Sequence, residues 1–420
     1  MSPSRASHDV LIAGGGMVGA TLALALGRLG WRVALVEPAG FSGQDSPSFD
    51  ERATALSWSS RQLFSTLGLW DAMAADSAAI EHIHVSEQGR FGRSRLHAGD
   101  LDVDALGHVV PNRAIGRELL AALADEALVE TVTAGATGEL EQDDDGVSLV
   151  LDGGDSLRGR LLVIADGARS RLRQSLGMPV HSVEFPHSGL VANVSVERDS
   201  GGWAYERFTS DGPLAMLPLP ADQSGRPRMN LVMSVAHDQV EPVRSMTDAE
   251  LLARIQRSFG YHLGRLLSVG ERAIYPLNQV GARQLLAGRC LLAGNAAMAL
   301  HPVAGQGFNL ALRGVADLAE QLSLLDPNRD DPAQPDRLAA LERRRLEDIR
   351  RTAMMTRLLV EGFTLQGPGL AKLRSLLLGV FDRTPLASRR FARLGMGRVS
   401  GLPGPSRGIP LAGPSDKGSP

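Results

Sequence analysis

The stretch 9–37, DVLIAGGGMVGATLALALGRLGWRVALVE, constrains the fold more than any other part of the chain. A short apolar run, Val10 to Ala13, meets Gly14, Gly16 and Gly19, and apolar residues then recur at helical spacing at Val18, Leu22, Leu26 and Leu29. Gly30 stops the helix, and Val33 to Val36 predicts a second buried strand that Glu37 closes. Strand, tight turn, helix, strand and terminal acid together make a dinucleotide-binding βαβ unit. Gly14 allows the turn, Gly16 lets the backbone approach a pyrophosphate, and Gly19 lets helix and strand pack closely. The helix N-terminus offers unpaired N–H groups and a positive dipole end to phosphates. Glu37 is placed to accept hydrogen bonds from a ribose. The unit does not separate FAD from NAD, because both present an adenosine diphosphate.

Two further segments separate them. Residues 159–173, GRLLVIADGARSRLR, predict an apolar strand, Leu161 to Ala165, ending in Asp166-Gly167, with Ser170 and Arg173 at a helix start. Residues 289–314, RCLLAGNAAMALHPVAGQGFNLALRG, predict a buried strand, Cys290 to Ala293, a turn at Gly294-Asn295, and the loop 301–307 leading into a helix from about Phe308. Pro302 stiffens that loop, while Gly305 and Gly307 remove side chains that would keep a planar ring system away from the backbone. A helix N-terminus aimed at a heterocycle stabilises negative charge on it, as a reduced flavin requires. Pro302, Gly305 and Gly307 are therefore the expected reaction environment, with Gln306, Phe308 and Asn309 beside the cofactor.

These segments, in this order and spacing, resemble the group A FAD-dependent aromatic monooxygenases related to 4-hydroxybenzoate hydroxylase. Within that group they are most similar to the ubiquinone-biosynthesis hydroxylases, in the branch that includes 2-octaprenyl-6-methoxyphenol hydroxylase. The resemblance runs from about Asp9 to about Arg345. It implies that Arg52 in DERATAL (50–56) lies near the cofactor, and that Asn112 or Arg113 in VVPNRAIGRELL (109–120) contacts it. It also implies that Asp166 and Gly167 support the ribityl chain. The wider superfamily has Gly-Asp where this chain has Gly294-Asn295; Asn295 keeps an acceptor oxygen but loses the charge. The implied fold class is α/β: a discontinuous Rossmann-like FAD-binding domain, an antiparallel β-sheet substrate domain and a C-terminal helical region. The implied chemistry is hydroxylation of a polyprenylated phenol by FAD and molecular oxygen through a flavin hydroperoxide. NAD(P)H is a transient co-substrate, since only one βαβ unit of the required type is evident. Two alternatives remain: a flavoenzyme of the same fold on another substrate, such as an isoprenoid reductase, or a non-catalytic subunit of a quinone-biosynthesis complex.

The cofactor signals imply three stretches of one domain, at 1–80, 98–180 and 275–345. Between Arg173 and Tyr275, short alternating runs separated by Gly, Pro and Asp predict an antiparallel sheet, the substrate domain of 181–274. The resemblance implies that one face of this sheet roofs the flavin, with Met216, Leu217 and Pro218 as candidate pocket residues; ordinary core packing is the alternative for each. Residues 346–400 read as helical. From Arg351 to Ser400, nine Lys and Arg face only Glu361 and Asp382, a net of +7, among apolar clusters. Such a stretch suits an anionic membrane surface or a partner among quinone-biosynthesis proteins, or simply a helical cap. Residues 401–420, rich in Gly, Pro and Ser, are expected to be a loose tail.

A formal charge of −3 over 420 residues argues against a chain-wide basic footprint for nucleic acid. Cys290 is the only cysteine, which excludes an intramolecular disulfide and any cysteine-built metal site. The expected setting is a reducing cytoplasm, with peripheral attachment to the inner membrane as its extension. No histidine pair has metal-ligand spacing, so no metal is expected, and His301 is assigned a structural hydrogen bond to the flavin loop rather than proton transfer.

Overall fold

The computed structural model describes residues 7–41, 52–300, 305–364, 382, 384–398 and 401–411. Pro302 and His301 lie outside them, as do residues 365–381 of the basic C-terminal stretch.

The strand His8–Ala13 (β1) is buried along its whole length, as a central parallel strand must be when both faces of its sheet are covered. It pairs in parallel with Val33–Val36 (β2) on one side and Ser156–Ile164 (β11) on the other. Val129–Val132 (β8) extends the sheet beyond β2, and Cys290–Leu292 (β18) with its short partner Leu286–Ala287 (β17) extends it beyond β11, giving the order β17-β18-β11-β1-β2-β8. Ala136–Gln142 (β9) and Val147–Leu151 (β10) add antiparallel to β11. The helix Met17–Arg28 packs on this sheet between helices Asn112–Ala124 and Gln306–Leu322. One buried acid ties the sheet down: Asp9 accepts from Arg32 at 2.9 Å and from Arg160 at 2.8 Å. Burial alone would raise the Asp9 pKa, but the two guanidinium groups outweigh it and hold the carboxyl below its ordinary value.

A small antiparallel sheet, Ala53–Ser57 (β3) and Ala78–Ile80 (β4) on either side of Gly107–Pro111 (β7), flanks the cofactor sheet. The third sheet has eight strands in the order β19-β16-β12-β15-β14-β13-β5-β6. Its members are Met298–Ala299 (β19), Leu266–Ala282 (β16), Val180–Val196 (β12), Arg228–Ala236 (β15), Gly212–Leu219 (β14), Trp203–Thr209 (β13), His82–Glu87 (β5) and Arg93–His97 (β6). Neighbours run antiparallel except β13 and β5, which run parallel. The β5–β6 hairpin comes from residues that carry no cofactor signal and lie outside the expected substrate domain of 181–274. Period-two alternation decides the two faces. Leu190, Met216, Leu231 and Met233 face outward and are sealed by the helix Asp248–Phe259, through Leu251, Ile255 and Phe259. That helix starts at a capping box in which Thr247 and Glu250 satisfy each other's backbone N–H groups. The opposite face of the sheet is left to wall a cavity.

The helix Pro335–Thr364 runs unbroken across residue 345, so the expected boundary there falls inside a helix. It is fixed by a buried charge cluster: Arg313 donates to both oxygens of Asp348 at 3.0 and 3.1 Å, and Arg345 donates to Asp348 at 2.7 Å and to the Leu310 carbonyl at 2.8 Å. Burial raises the Asp348 pKa and the two arginines pull it down further, leaving it below the ordinary carboxylate range. The expectation of a loose tail from 401 needs correction for its first half. Residues 403–406 are buried, Pro405–Arg407 forms a 3-10 turn, and Gly404 N–H donates to Glu320 Oε1 at 2.7 Å. Gly and Pro forbid a long helix there but not docking, because the free N–H finds a carboxylate and the prolines bury apolar surface. Residues 412–420 lie outside the described part.

Candidate active site

Pairing of three parallel strands brings together signals that are far apart in sequence. Ala13 in β1 is level with Ile164 in β11, and Ile164 with Leu292 in β18. The residues just beyond these strand ends, Gly14, Asp166-Gly167 and Gly294-Asn295, therefore stand side by side at the carboxyl edge of the sheet, where open α/β sheets bind their ligands. Gly14 has φ +106°, and a Cβ there would sit 2.5 Å from the Ala165 carbonyl oxygen. A Cβ on Gly19 would collide with the Gly14 carbonyl oxygen. Gly16 is the N-cap of the helix Met17–Arg28. Glu37 accepts from Gly15 N–H at 2.7 Å and from Ala39 N–H at 3.1 Å, which fixes the carboxylate at the rim with lone pairs left for a ribose.

Arg173 ties the second and third segments together. Buried, it donates to the Ala168 carbonyl and to the Ala296 carbonyl, both at 2.8 Å. Burial raises the Asp166 pKa, partly offset by a Ser170 hydrogen bond and the Arg173 charge.

The β3–β7 pairing does the same for Arg52 and Asn112: Asn112 N–H donates to the Arg52 carbonyl at 2.8 Å, and Asn112 Oδ1 accepts from Thr54 Oγ1 at 2.7 Å. Arg52 lies over the Tyr275 ring at 5.0 Å. Asn112 is buried and lines the cavity, whereas Arg113 is exposed and does not line it. Gly305, at φ +59°, caps the helix Gln306–Leu322. Gln306, Gly307 and Phe308 line the cavity in its first turn, and Gln306 Nε2 donates to the Gly395 carbonyl at 3.4 Å. The Asn309 amide has its four bonds within the protein: Oδ1 accepts from Ser57 N–H (2.8 Å) and Ser60 Oγ (2.7 Å), and Nδ2 donates to the Ala55 (2.8 Å) and Gly305 (2.7 Å) carbonyls. Through these bonds the amide holds the loop, and Asn309 also lines the cavity.

All of these segments line one cavity of about 1940 Å³. Typical small-molecule sites occupy about 300–1,000 Å³, so this one has room for a dinucleotide and a second ligand. The glycine cradle, the helix start at Gly16 and the carboxylate at its rim fit FAD. The remaining wall is the inner face of the eight-stranded sheet, with Ile83, Val85, Val191, Ala204, Leu217 and Val232. Of the candidate pocket residues only Leu217 is among them; Met216 points to the outer core, as alternation requires. Phe391, Ala392 and Met396 of the C-terminal region also line the cavity, and no sequence signal marked them. Cys290 is buried in β18, and burial pushes its thiol pKa up to about 12, so it is inert at neutral pH.

Residues 7–355 match the FAD binding domain family. The chain is 34% identical over 407 residues to a ubiquinone hydroxylase, UbiL, of Rhodospirillum rubrum, covering 96% of this chain and 93% of that protein. It is 31% identical over 394 residues to 3-demethoxyubiquinol 3-hydroxylase of Escherichia coli, covering 93% and 98%. The chain belongs to the FAD-dependent monooxygenases of ubiquinone biosynthesis. The crystal structure of p-nitrophenol 4-monooxygenase PnpA from Pseudomonas putida shares the fold, with a TM-score of 0.73 at 20% identity over 94% of this chain and 99% of that one. As a member of this family the protein is an aromatic monooxygenase with FAD as cofactor and NAD(P)H and molecular oxygen as co-substrates. Among the described residues no helix is long and apolar enough to cross a membrane.

Proposed function

We propose that the protein hydroxylates the ring of a polyprenylated phenol on the route to ubiquinone. The observation that carries this reading is the continuity of the cavity: the glycine cradle and the apolar sheet face enclose one space, so a ring on the sheet side meets a cofactor on the strand-end side. FAD would be held by Gly14, Gly16, Glu37, Arg52, Asn112, Asp166, Gly167 and Asn295, and the segment Gly305 to Phe308 would face its ring system. Bound there, FAD supplies the oxygen-activating redox chemistry. The chain supplies the setting. The N–H groups at the start of the helix Gln306–Leu322 stabilise negative charge at the ring system's edge. Asn309 keeps those N–H groups aimed by holding the Gly305 carbonyl. The apolar strands exclude water and accept the prenyl tail. Loss of the gene in its host is expected to accumulate a prenylated phenol lacking one ring hydroxyl. Normal ubiquinone with no such intermediate would contradict the reading.

The C-terminal helix Pro385–Gly395 is the contact we assign to an anionic membrane surface. Arg389, Arg390 and Arg393 are exposed, beside the exposed Leu386 and Leu394, while Phe391 and Ala392 of the same helix line the cavity that must admit a lipid-like substrate. At about 1 kcal/mol per basic residue near such a surface, changing the three arginines to Gln should weaken binding to anionic vesicles roughly a hundredfold with FAD content unchanged. Equal binding would return the helix to a structural cap.

A further inference from the structure

Across the inner face of the sheet, backbone pairing lays one row of side chains side by side: Ser94 on β6, Val85 on β5, Glu206 on β13, Ala215 on β14, Val232 on β15 and Val191 on β12. Within the row, Glu206 is the charged residue. Along its own strand it alternates with Ala204 and Phe208, both of which face the same cavity. Tyr205, its neighbour in sequence, turns its ring to the opposite face, stacked 5.9 Å from His262. A carboxyl in an apolar wall costs free energy unless something pairs with it. No hydrogen bond or ion pair of the Glu206 side chain is found among the described residues.

We propose that Glu206 is the acceptor for the phenol hydroxyl of the substrate, taking its proton as the ring is hydroxylated. The assignment rests on the phenol-hydroxylase reading above and adds to it the group that activates the ring. In the step, the phenol O–H bond breaks and a Glu206 Oε–H bond forms. The electron pair left on oxygen flows into the ring as an ortho or para carbon bonds to an OH group derived from dioxygen. The second oxygen atom leaves as water, reduced at the expense of NAD(P)H. The proton on the attacked carbon then passes to solvent, its bonding pair restores the aromatic ring, and Glu206 returns its proton to the original oxygen.

The surroundings match this task. Burial pushes the Glu206 pKa up to about 7, near the pH at which a general base is most effective. The groups flanking it on β5 and β14, Val85 and Ala215, carry no charge. On the same face Glu87 stands opposite Phe208, and Arg207 lies on the other face of β13.

The test uses the full-length, FAD-loaded protein, the Glu206→Gln and Glu206→Asp variants, and two probes: 2-(3-methylbut-2-enyl)phenol and its methyl ether. Binding is read from the perturbation of flavin absorbance. Wild type should bind the phenol about tenfold more tightly at pH 8 than at pH 6, because the charged carboxylate accepts the hydroxyl's hydrogen bond much more strongly than the protonated acid does. Glu206→Gln should lose that dependence, Glu206→Asp should retain part of it, and the methyl ether should show none. Hydroxylation by Glu206→Gln should fall by about 10²–10⁴-fold in kcat at unchanged FAD content. Identical pH dependence of phenol binding in wild type and Glu206→Gln, or equal hydroxylation rates, would overturn the assignment. If wild type binds the phenol with the expected pH dependence yet hydroxylates nothing, the hydroxylase reading fails and the acceptor role of Glu206 stands.

Discussion

On its cofactor side the cavity is walled by backbone: Gly14, Gly16, Gly167, Gly294 and Gly305 sit at strand ends and helix starts, and most have φ values that only glycine adopts without strain. On its other side the wall is made of side chains projecting from strands, most of them apolar and interchangeable in kind, with Glu206 set among them. The first wall is specified by what must be absent at fixed positions, the second by what is present on one face of a sheet. Backbone walls tolerate little: a Cβ on Gly14 would meet the Ala165 carbonyl, and at Gly167, Gly294 and Gly305 the positive φ strains any other residue. Side-chain walls tolerate much, because neighbouring strands adjust and the loss is confined to the contacts removed.

The sharpest way to break this contrast is Gly19→Val, in which the new side chain meets the Gly14 carbonyl. Purified protein should be colourless, with FAD lost; a fully yellow variant would show that the cradle is not rigid. Asn309→Ala should come next. It removes four hydrogen bonds, each worth a net of about 0.5–1.5 kcal/mol, so unfolding free energy should drop by about 2–6 kcal/mol, measured by denaturant titration.

Glu206 gives a test in the opposite direction. Its pKa is raised from 4.5 to about 7 by burial, so its contribution to stability is full below pH 4.5 and is lost as pH rises through 7. Glu206→Gln should therefore gain on wild type between pH 5 and pH 8, by about 1–3 kcal/mol after allowance for water in the cavity. A constant difference across that range would mean the carboxyl is well solvated. The smallest effect belongs to Leu217→Ala, which trims the apolar wall. KM for a prenylphenol should rise about five- to tenfold, in line with a few buried methyl and methylene groups, with FAD content and kcat nearly unchanged.

The contrast also explains what could be read from sequence. Glycine motifs next to strands are local, so the turn after β1, the Asp166-Gly167 strand end and the Gln306 helix are legible at once. Arg113 and Asn112 could not be separated, because adjacent residues at a helix start point apart and only packing decides which faces inward. The sheet wall is not local. The β5–β6 hairpin joins β13 by a parallel pairing more than a hundred residues away in sequence, and the C-terminal helix reaches the cavity only through tertiary packing. One signal was available: in Ala204, Glu206, Phe208 a charged residue occupies the apolar phase of a period-two strand, the pattern expected of a group kept for a ligand. The tail misled because Gly and Pro report on helix formation, while docking of residues 403–406 depends on Glu320, far away in sequence.

The central claim is that the two walls enclose one reaction space. It is tested most directly by giving the FAD-loaded protein NAD(P)H, 2-(3-methylbut-2-enyl)phenol and isotopically labelled dioxygen, then measuring label in the product by mass spectrometry. The account predicts one labelled oxygen atom on the ring for each phenol converted. Oxidation of NAD(P)H with no label in this or any other phenol would contradict it.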